Sequence, residues 1–160
     1  MSRSLGHELP AALQALLDGS DLANREGLTF LLLTTDERGW PHVALLSVGE
    51  VVATDPRTLR AGLWLGSGTT RNLSRSGQAT LMLVANGNAY YLRVSARRGD
   101  DLDLGRDGRL AYFVLHVEDV LEDAADYASL SSGITFRLKQ PDQVVPRWRH
   151  TIESLRSAAA

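Results

Sequence analysis

The middle of the chain is a succession of short β-favouring runs joined by links too short, in most cases, to hold a crossover helix. Leu28 to Thr35 is one run and Trp40 to Ser47 the next, with Asp36-Glu37-Arg38-Gly39 between them as a turn signal. Leu59 to Leu65, Ala79 to Ala85, Asn88 to Ala96 and Leu110 to Leu121 follow, and Asn86-Gly87 predicts a tight hairpin turn between the fourth and fifth runs. Parallel neighbours need a connection of about a dozen residues or more, so this spacing predicts an antiparallel barrel. Within the sixth run Ala111, Phe113, Leu115, Val117 and Leu121 form one apolar face. Ile134 to Leu138 is a seventh candidate strand, with Ile134, Phe136 and Leu138 inward and Thr135 and Arg137 outward.

Helices flank these runs. Leu9, Leu13, Leu16 and Leu17 recur at helical spacing over residues 8–18, with Pro10 suited to the first turn and Gly19 to the stop. At the other end Trp148, Ile152 and Leu155 share a stripe over residues 144–158, where Trp148 packs inward and Arg147 and Arg149 belong to a solvated face. At 160 residues and 44% hydrophobic content the chain can bury one core but hardly two, so residues 1–160 are expected to form one domain.

Composition removes several functions. The balance of 17 basic and 19 acidic residues draws the chain to neither nucleic acid nor anionic membrane, so any anion site must be local. With no cysteine there are no disulfides, thiolate metal sites or thiol nucleophiles. No apolar run approaches the roughly 18 residues of a membrane helix, and Met1 to Glu8 lacks a signal core, so the expected location is the cytoplasm. His7, His42, His116 and His150 lie on different elements without ligand spacing, which argues against a metal site. Among them His42 is the one placed to meet a ligand, since it begins the second run. Ser129 to Gly133 lacks the glycine two residues before the serine that a nucleophile elbow requires.

One segment carries chemistry. Leu63-Trp64-Leu65-Gly66-Ser67-Gly68-Thr69-Thr70-Arg71-Asn72-Leu73 passes from a strand through small residues into hydroxyls and a guanidinium. The Rossmann fingerprint fails here, because Arg71 stands where the third glycine belongs and the next strand starts too soon for a crossover helix. A Walker loop fails as well: it ends in lysine, and Lys139 is the only lysine in the chain. A short helix over Thr70 to Arg75 remains. Its exposed first amides, the hydroxyls of Ser67, Thr69 and Thr70, and the fork of Arg71 together suit a phosphomonoester. The same residues also suit an ordinary strand-to-helix turn, with glycines relieving strain and a threonine as cap.

Order and spacing then become informative. Leu31 to Ser47 gives a strand, an acidic-Gly turn and a Pro-led second strand; Leu63 to Leu73 gives a third strand, a hydroxyl-rich basic loop and a helix carrying Asn-Leu; Ala79 to Val84 gives an apolar fourth strand. In this the chain resembles the flavin-binding split-barrel superfamily, the pyridoxamine 5′-phosphate oxidase-like proteins, from about Leu28 to Val84 and more loosely to Leu138. The resemblance implies a six- to seven-stranded antiparallel Greek-key split barrel, mainly β with flanking helices, paired as a homodimer with FMN in grooves at the subunit interface. It implies that Ser67, Thr69, Thr70 and Arg71 hold the flavin phosphate, and that Leu65 and Gly66 lie beside the ribityl chain. Val43, Ala44, Leu45, Leu46 and Ser47 would offer backbone groups to the ring, and Asn72 would brace the helix.

The function this implies is an FMN-dependent oxidoreductase acting on a small molecule. Other branches of the superfamily use a deazaflavin or bind haem, so a deazaflavin-dependent reductase and a non-catalytic flavin- or haem-binding protein stand as alternatives. Nothing after Ile134 resembles the Arg-Leu-His-type substrate motif of true pyridoxamine phosphate oxidases, since Trp148-Arg149-His150 falls in the final helix.

Overall fold

The computed structural model describes residues Met1–Ala160. In chain order the elements are β1 (Ser2–Ser4), α1 (Ala11–Leu16), a 3₁₀ turn (Leu22–Arg25), β2 (Phe30–Thr35), β3 (Pro41–Leu46), β4 (Val51–Asp55), β5 (Thr58–Trp64), α2 (Gly68–Ser76), β6 (Gln78–Ala85), β7 (Asn88–Arg98), β8 (Leu102–Asp103), a second 3₁₀ turn (Gly105–Asp107), β9 (Arg109–Asp123) and α3 (Pro141–Ser157).

The strands form one sheet in the order β3-β2-β6-β7-β9-β5-β4, with β1 and β8 added along β9. Every pairing is antiparallel, as the short links require. Asn86 and Gly87 both take positive φ, 52° and 80°, which is the two-residue turn expected between β6 and β7. The free edges of the sheet are β3 and β4, yet these strands are consecutive in the chain and joined only by residues 47–50. So short a link holds the two edges together at one end while they remain unpaired elsewhere, and the barrel is split along that seam.

Alternation places Phe30, Leu32 and Thr34 of β2 and Leu81 and Leu83 of β6 in the interior. On β9 the alternation changes phase. Ala111, Phe113, Leu115 and Val117 are buried as expected, but the next buried position is Val120 and not Leu121. The register explains it: Arg93 faces Asp119 while Val94 faces Val117, so Glu118 is a bulged extra residue and everything after it points the other way. Tyr90 and Tyr91, neighbours on β7, donate their hydroxyls to Glu122 and Asp123 of β9 at 2.9 Å each.

Ile134 to Leu138 is not a strand. It makes one isolated bridge, Thr135 to Leu28, and an amide bond from Phe136 to Gly27 O, inside an irregular strap that runs from β9 to α3. The expected inward and outward faces do not form: Ile134 and Phe136 are exposed, and Thr135 lines the same cleft as they do. Helix α1 is shorter than residues 8–18, although Leu9, Leu13 and Leu17 are all buried. Helix α3 starts earlier than residue 144, since Pro141 fits its first turn. It packs on β4 and β5 with Trp148, Ile152 and Leu155 in the core, while α2 covers β2, β3, β5 and β7. No helix is long and apolar enough to cross a membrane.

Candidate functional site

Helix α2 begins two residues before the expected Thr70, because Ser67 is its cap. Ser67 Oγ accepts the amide of Thr70 at 3.1 Å and donates to Thr70 Oγ1, which in turn donates to Trp64 O at 2.7 Å. The hydroxyl protons of Ser67 and Thr70 are thus committed inside the turn, and Thr69 and Thr70 are buried. What the turn leaves outward is different: the amides of Gly68 and Thr69, which precede any intrahelical acceptor, and the exposed guanidinium of Arg71. Arg71 Nη1 donates to Gly66 O at 2.9 Å, curling the side chain back over the loop and leaving Nε and Nη2 without a protein acceptor.

Neither Gly66 nor Gly68 has a positive φ, so backbone strain is not why they are glycines. For Gly68 the reason is proximity. A Cβ there would lie 3.1 Å from Cε1 of His42 and 3.7 Å from Nη2 of Arg71. His42, at the start of β3, therefore meets the first turn of α2, and three groups that suit an anion converge there: an imidazole, a guanidinium and helix amides. The helix is fixed in place by a buried pair, Asn72 Nδ2 donating to Thr34 Oγ1 of β2 at 3.0 Å, which gives Asn72 the bracing role expected of it. Arg75 adds a second tie, donating to Thr35 O.

From His42, strand β3 runs along the open edge of the sheet, about 16 Å at the usual strand rise, to Ser47. Leu46 and Ser47 are buried, whereas Val43 and Leu45 are 51% and 61% exposed. Trp40, Trp64 and Leu65 are exposed as well. At its far end β3 opens into a cleft of about 520 Å³. Leu45, Trp64, Phe136 and Trp148 wall it, and Trp148 meets Phe136 edge-on with ring centroids 6.5 Å apart.

Three charged residues line this cleft, Glu50, Asp107 and Arg147, and none was among the site residues expected from the sequence. Glu50 is half-buried at the turn between the sheet edges, and its Oε2 accepts the amide of Ser47 at 2.6 Å and the hydroxyl of Ser47 at 2.8 Å. Burial pushes its carboxyl above the usual glutamate range, while the Ser47 bonds and the charge of Arg147 pull the other way. Arg147, expected on a solvated helix face, lines the same cleft without forming an ion pair with Glu50. The only signal in the sequence was an acid directly before an apolar pair, Glu50-Val51-Val52.

The expected site residues thus fall in two connected places. Gly66, Ser67, Thr69, Thr70 and Arg71 form the helix-start loop, Val43, Ala44, Leu45, Leu46 and Ser47 lie along β3 and the turn after it, and Leu65 joins the end of β5 to the loop. An anionic head with a flat apolar body fits this layout, with the anion at His42, Gly68 and Arg71.

No family model matches the chain. The uncharacterized protein YclD of Bacillus subtilis (strain 168) is 36% identical over 144 residues, which cover 88% of this chain and 91% of YclD. Among solved structures, a candidate pyridoxamine 5′-phosphate oxidase of Lactobacillus delbrueckii superposes with a TM-score of 0.53 at 18% identity, over 74% of this chain and 98% of that one. The H111A variant of HupZ from Group A Streptococcus gives a TM-score of 0.51 at 16% identity, over 64% of this chain and 93% of its own. A Clostridium acetobutylicum protein of the pyridoxinephosphate oxidase family, related to general stress protein 26, gives 0.50 at 14% identity, over 80% and 98%. The chain belongs to the same family as YclD, and its fold is that of the pyridoxamine 5′-phosphate oxidase-like split barrels.

Proposed function

We propose that the protein is a homodimeric FMN-binding protein and acts as a flavin-dependent oxidoreductase. The observation that carries the reading is strand β3, a sheet edge with an anion-fitting cluster at His42 and an exposed apolar face, Val43 and Leu45, that leads from it to the mouth of the cleft. FMN has the matching shape, a phosphate dianion at one end and a flat amphipathic ring at the other. Names of structural neighbours in the pyridoxamine 5′-phosphate oxidase group support the same class of chemistry.

In this reading Arg71 and the amides of Gly68 and Thr69 hold the phosphate, with His42 beside them, while Ser67 and Thr70 keep the loop in shape. Leu65 and Gly66 border the ribityl chain, and the backbone from Val43 to Ser47 offers hydrogen bonds to the ring's polar edge. When bound, the flavin supplies hydride or electron transfer. The chain's own part is to fix its orientation and to exclude water from the ring face that lies on Val43 and Leu45. The exposed apolar side chains Trp40, Val43, Leu45, Trp64 and Leu65 support the pairing, in which a second copy covers them.

The test is an FMN titration followed by quenching of flavin fluorescence, with sedimentation of the same sample. One FMN per chain in a two-chain particle is expected, with oxidation of a reduced nicotinamide as the assay for turnover. Absence of quenching sinks the FMN assignment; a Soret band in the purified protein, or binding of a deazaflavin instead, would replace it.

A further inference from the structure

The cleft at the end of β3 has a charge pattern that a flavin does not require. Its walls are mostly aromatic and aliphatic, its volume of about 520 Å³ is that of a small-molecule site, and two carboxylates line it: Asp107, which is paired with His150, and Glu50, which has no cationic partner. The two bonds from Ser47 fix Glu50 through Oε2, and Oε1 has no donor in the protein. A carboxylate in apolar surroundings is costly unless its remaining acceptor sites are filled. Neither nearby cation bonds to it: Arg147 lines the same cleft and acts on Glu50 only through its charge, and His150 is bonded to Asp107 at 3.0 Å. Thr29 Oγ1, beside the same cleft, is buried without a hydrogen-bond partner.

We propose that this cleft recognises a small molecule with a flat apolar body and a protonated amine, the amine donating to Glu50 Oε1. Leu45, Trp64, Phe136 and Trp148 take the apolar body. That the ligand lies against a flavin ring rests on the FMN reading above; that its amine is selected rests on the cleft's own residues. Arg147, at the exposed side, opposes a cation and limits how tightly the amine is held.

The test uses three compounds with one ring system and different heads, naphthylmethylamine, naphthylmethanol and naphthoate, titrated calorimetrically into the full chain with and without saturating FMN. The amine is expected to bind tightest, about ten-fold ahead of the alcohol, as a hydrogen bond to a charged group implies. The carboxylate should bind weakest. In Glu50→Gln, which keeps an acceptor for Ser47, the gap between amine and alcohol closes; in Arg147→Gln it widens. Equal binding of the three, a preference for the carboxylate, or a gap that survives Glu50→Gln overturns the proposal. So does loss of amine binding when FMN is saturating, because the cleft would then be the ring's own seat. If FMN fails to bind while the amine preference holds, the flavin reading falls and the amine site stands. If FMN binds at one per chain while the three heads bind alike, the amine site falls and the flavin reading stands.

Discussion

A Cβ on Gly49 would lie 2.0 Å from Cγ of Trp148, so the indole of α3 rests directly on the backbone of the turn that joins β3 to β4. No rotamer of a side chain at residue 49 avoids this, because the obstruction meets the first carbon. Gly49→Ala is expected to force Trp148 out of its packed position and to lower stability by about 1–3 kcal/mol, the usual range for overpacking. Thermal unfolding measures it. A Trp148→Ala partner change, which removes Cγ and Cδ1, should recover part of the loss; additive effects of the two changes would mean that the indole is not the obstacle.

Arg71 is exposed and bonds within the protein only to Gly66 O, so removing it should leave the fold untouched. Arg71→Ala is expected to weaken FMN by about 1.5–3 kcal/mol with no change in the unfolding midpoint. Titration of flavin fluorescence gives the first number and a melting curve the second. Unchanged affinity would place the phosphate elsewhere.

Asn72 and Thr34 form a buried hydrogen bond between α2 and β2, and each is the other's partner. Asn72→Ala leaves the Thr34 hydroxyl alone in the interior, at a cost of about 1–3 kcal/mol. Replacing Thr34 with valine in that background removes the orphaned group. The double variant should therefore be more stable than Asn72→Ala alone, and denaturant midpoints would show it. A double variant less stable than the single would assign the loss to packing.

Glu50 gives the protein a pH signature. Its carboxyl is raised by burial, so over the interval between the ordinary and the raised value the folded chain holds a proton that the unfolded chain has lost. Stability therefore falls as pH rises through that interval, and the cost is complete above it. Below the ordinary value both states are protonated and the residue contributes nothing. Glu50→Gln should remove this dependence, so its stability relative to the wild type should improve between about pH 4 and pH 8. Denaturation curves at the two pH values decide; parallel behaviour of both proteins would count against a raised carboxyl.

The barrel was legible because hairpin strands write their geometry locally. Phe30, Leu32 and Thr34 alternate with less buried neighbours, and Asn86-Gly87 spells its turn in two residues. The loop from Gly66 to Arg71 could be read for the same reason, since an anion-fitting helix start is a contiguous feature. Glu50 and Arg147 could not, because they lie far apart in sequence and only the strap of Ile134 to Leu138 and helix α3 bring them to one cleft. Strand β4 was hidden by its brevity: Val51-Val52-Ala53 follows a turn and pairs on one side only, with β5. The strap deceived in the other direction, since an apolar-polar alternation in sequence makes a strand only where a ladder holds it, and here there is one isolated bridge.

The bulge at Glu118 has a further effect on β9. A strand of uniform parity can slide two residues past its neighbours and show the same face to the interior, so its alignment is fixed only weakly by its apolar pattern. In β9 the inward positions are odd-numbered up to Val117 and even-numbered at Val120, and the residue at the change of phase is bonded, Ser95 Oγ donating to Glu118 Oε1 at 2.6 Å. A slide would carry that phase mark away from Ser95 and leave half the strand facing the wrong way. The longest strand of the sheet thus carries its own zero point, to which β1, β5, β7 and β8 are all indexed.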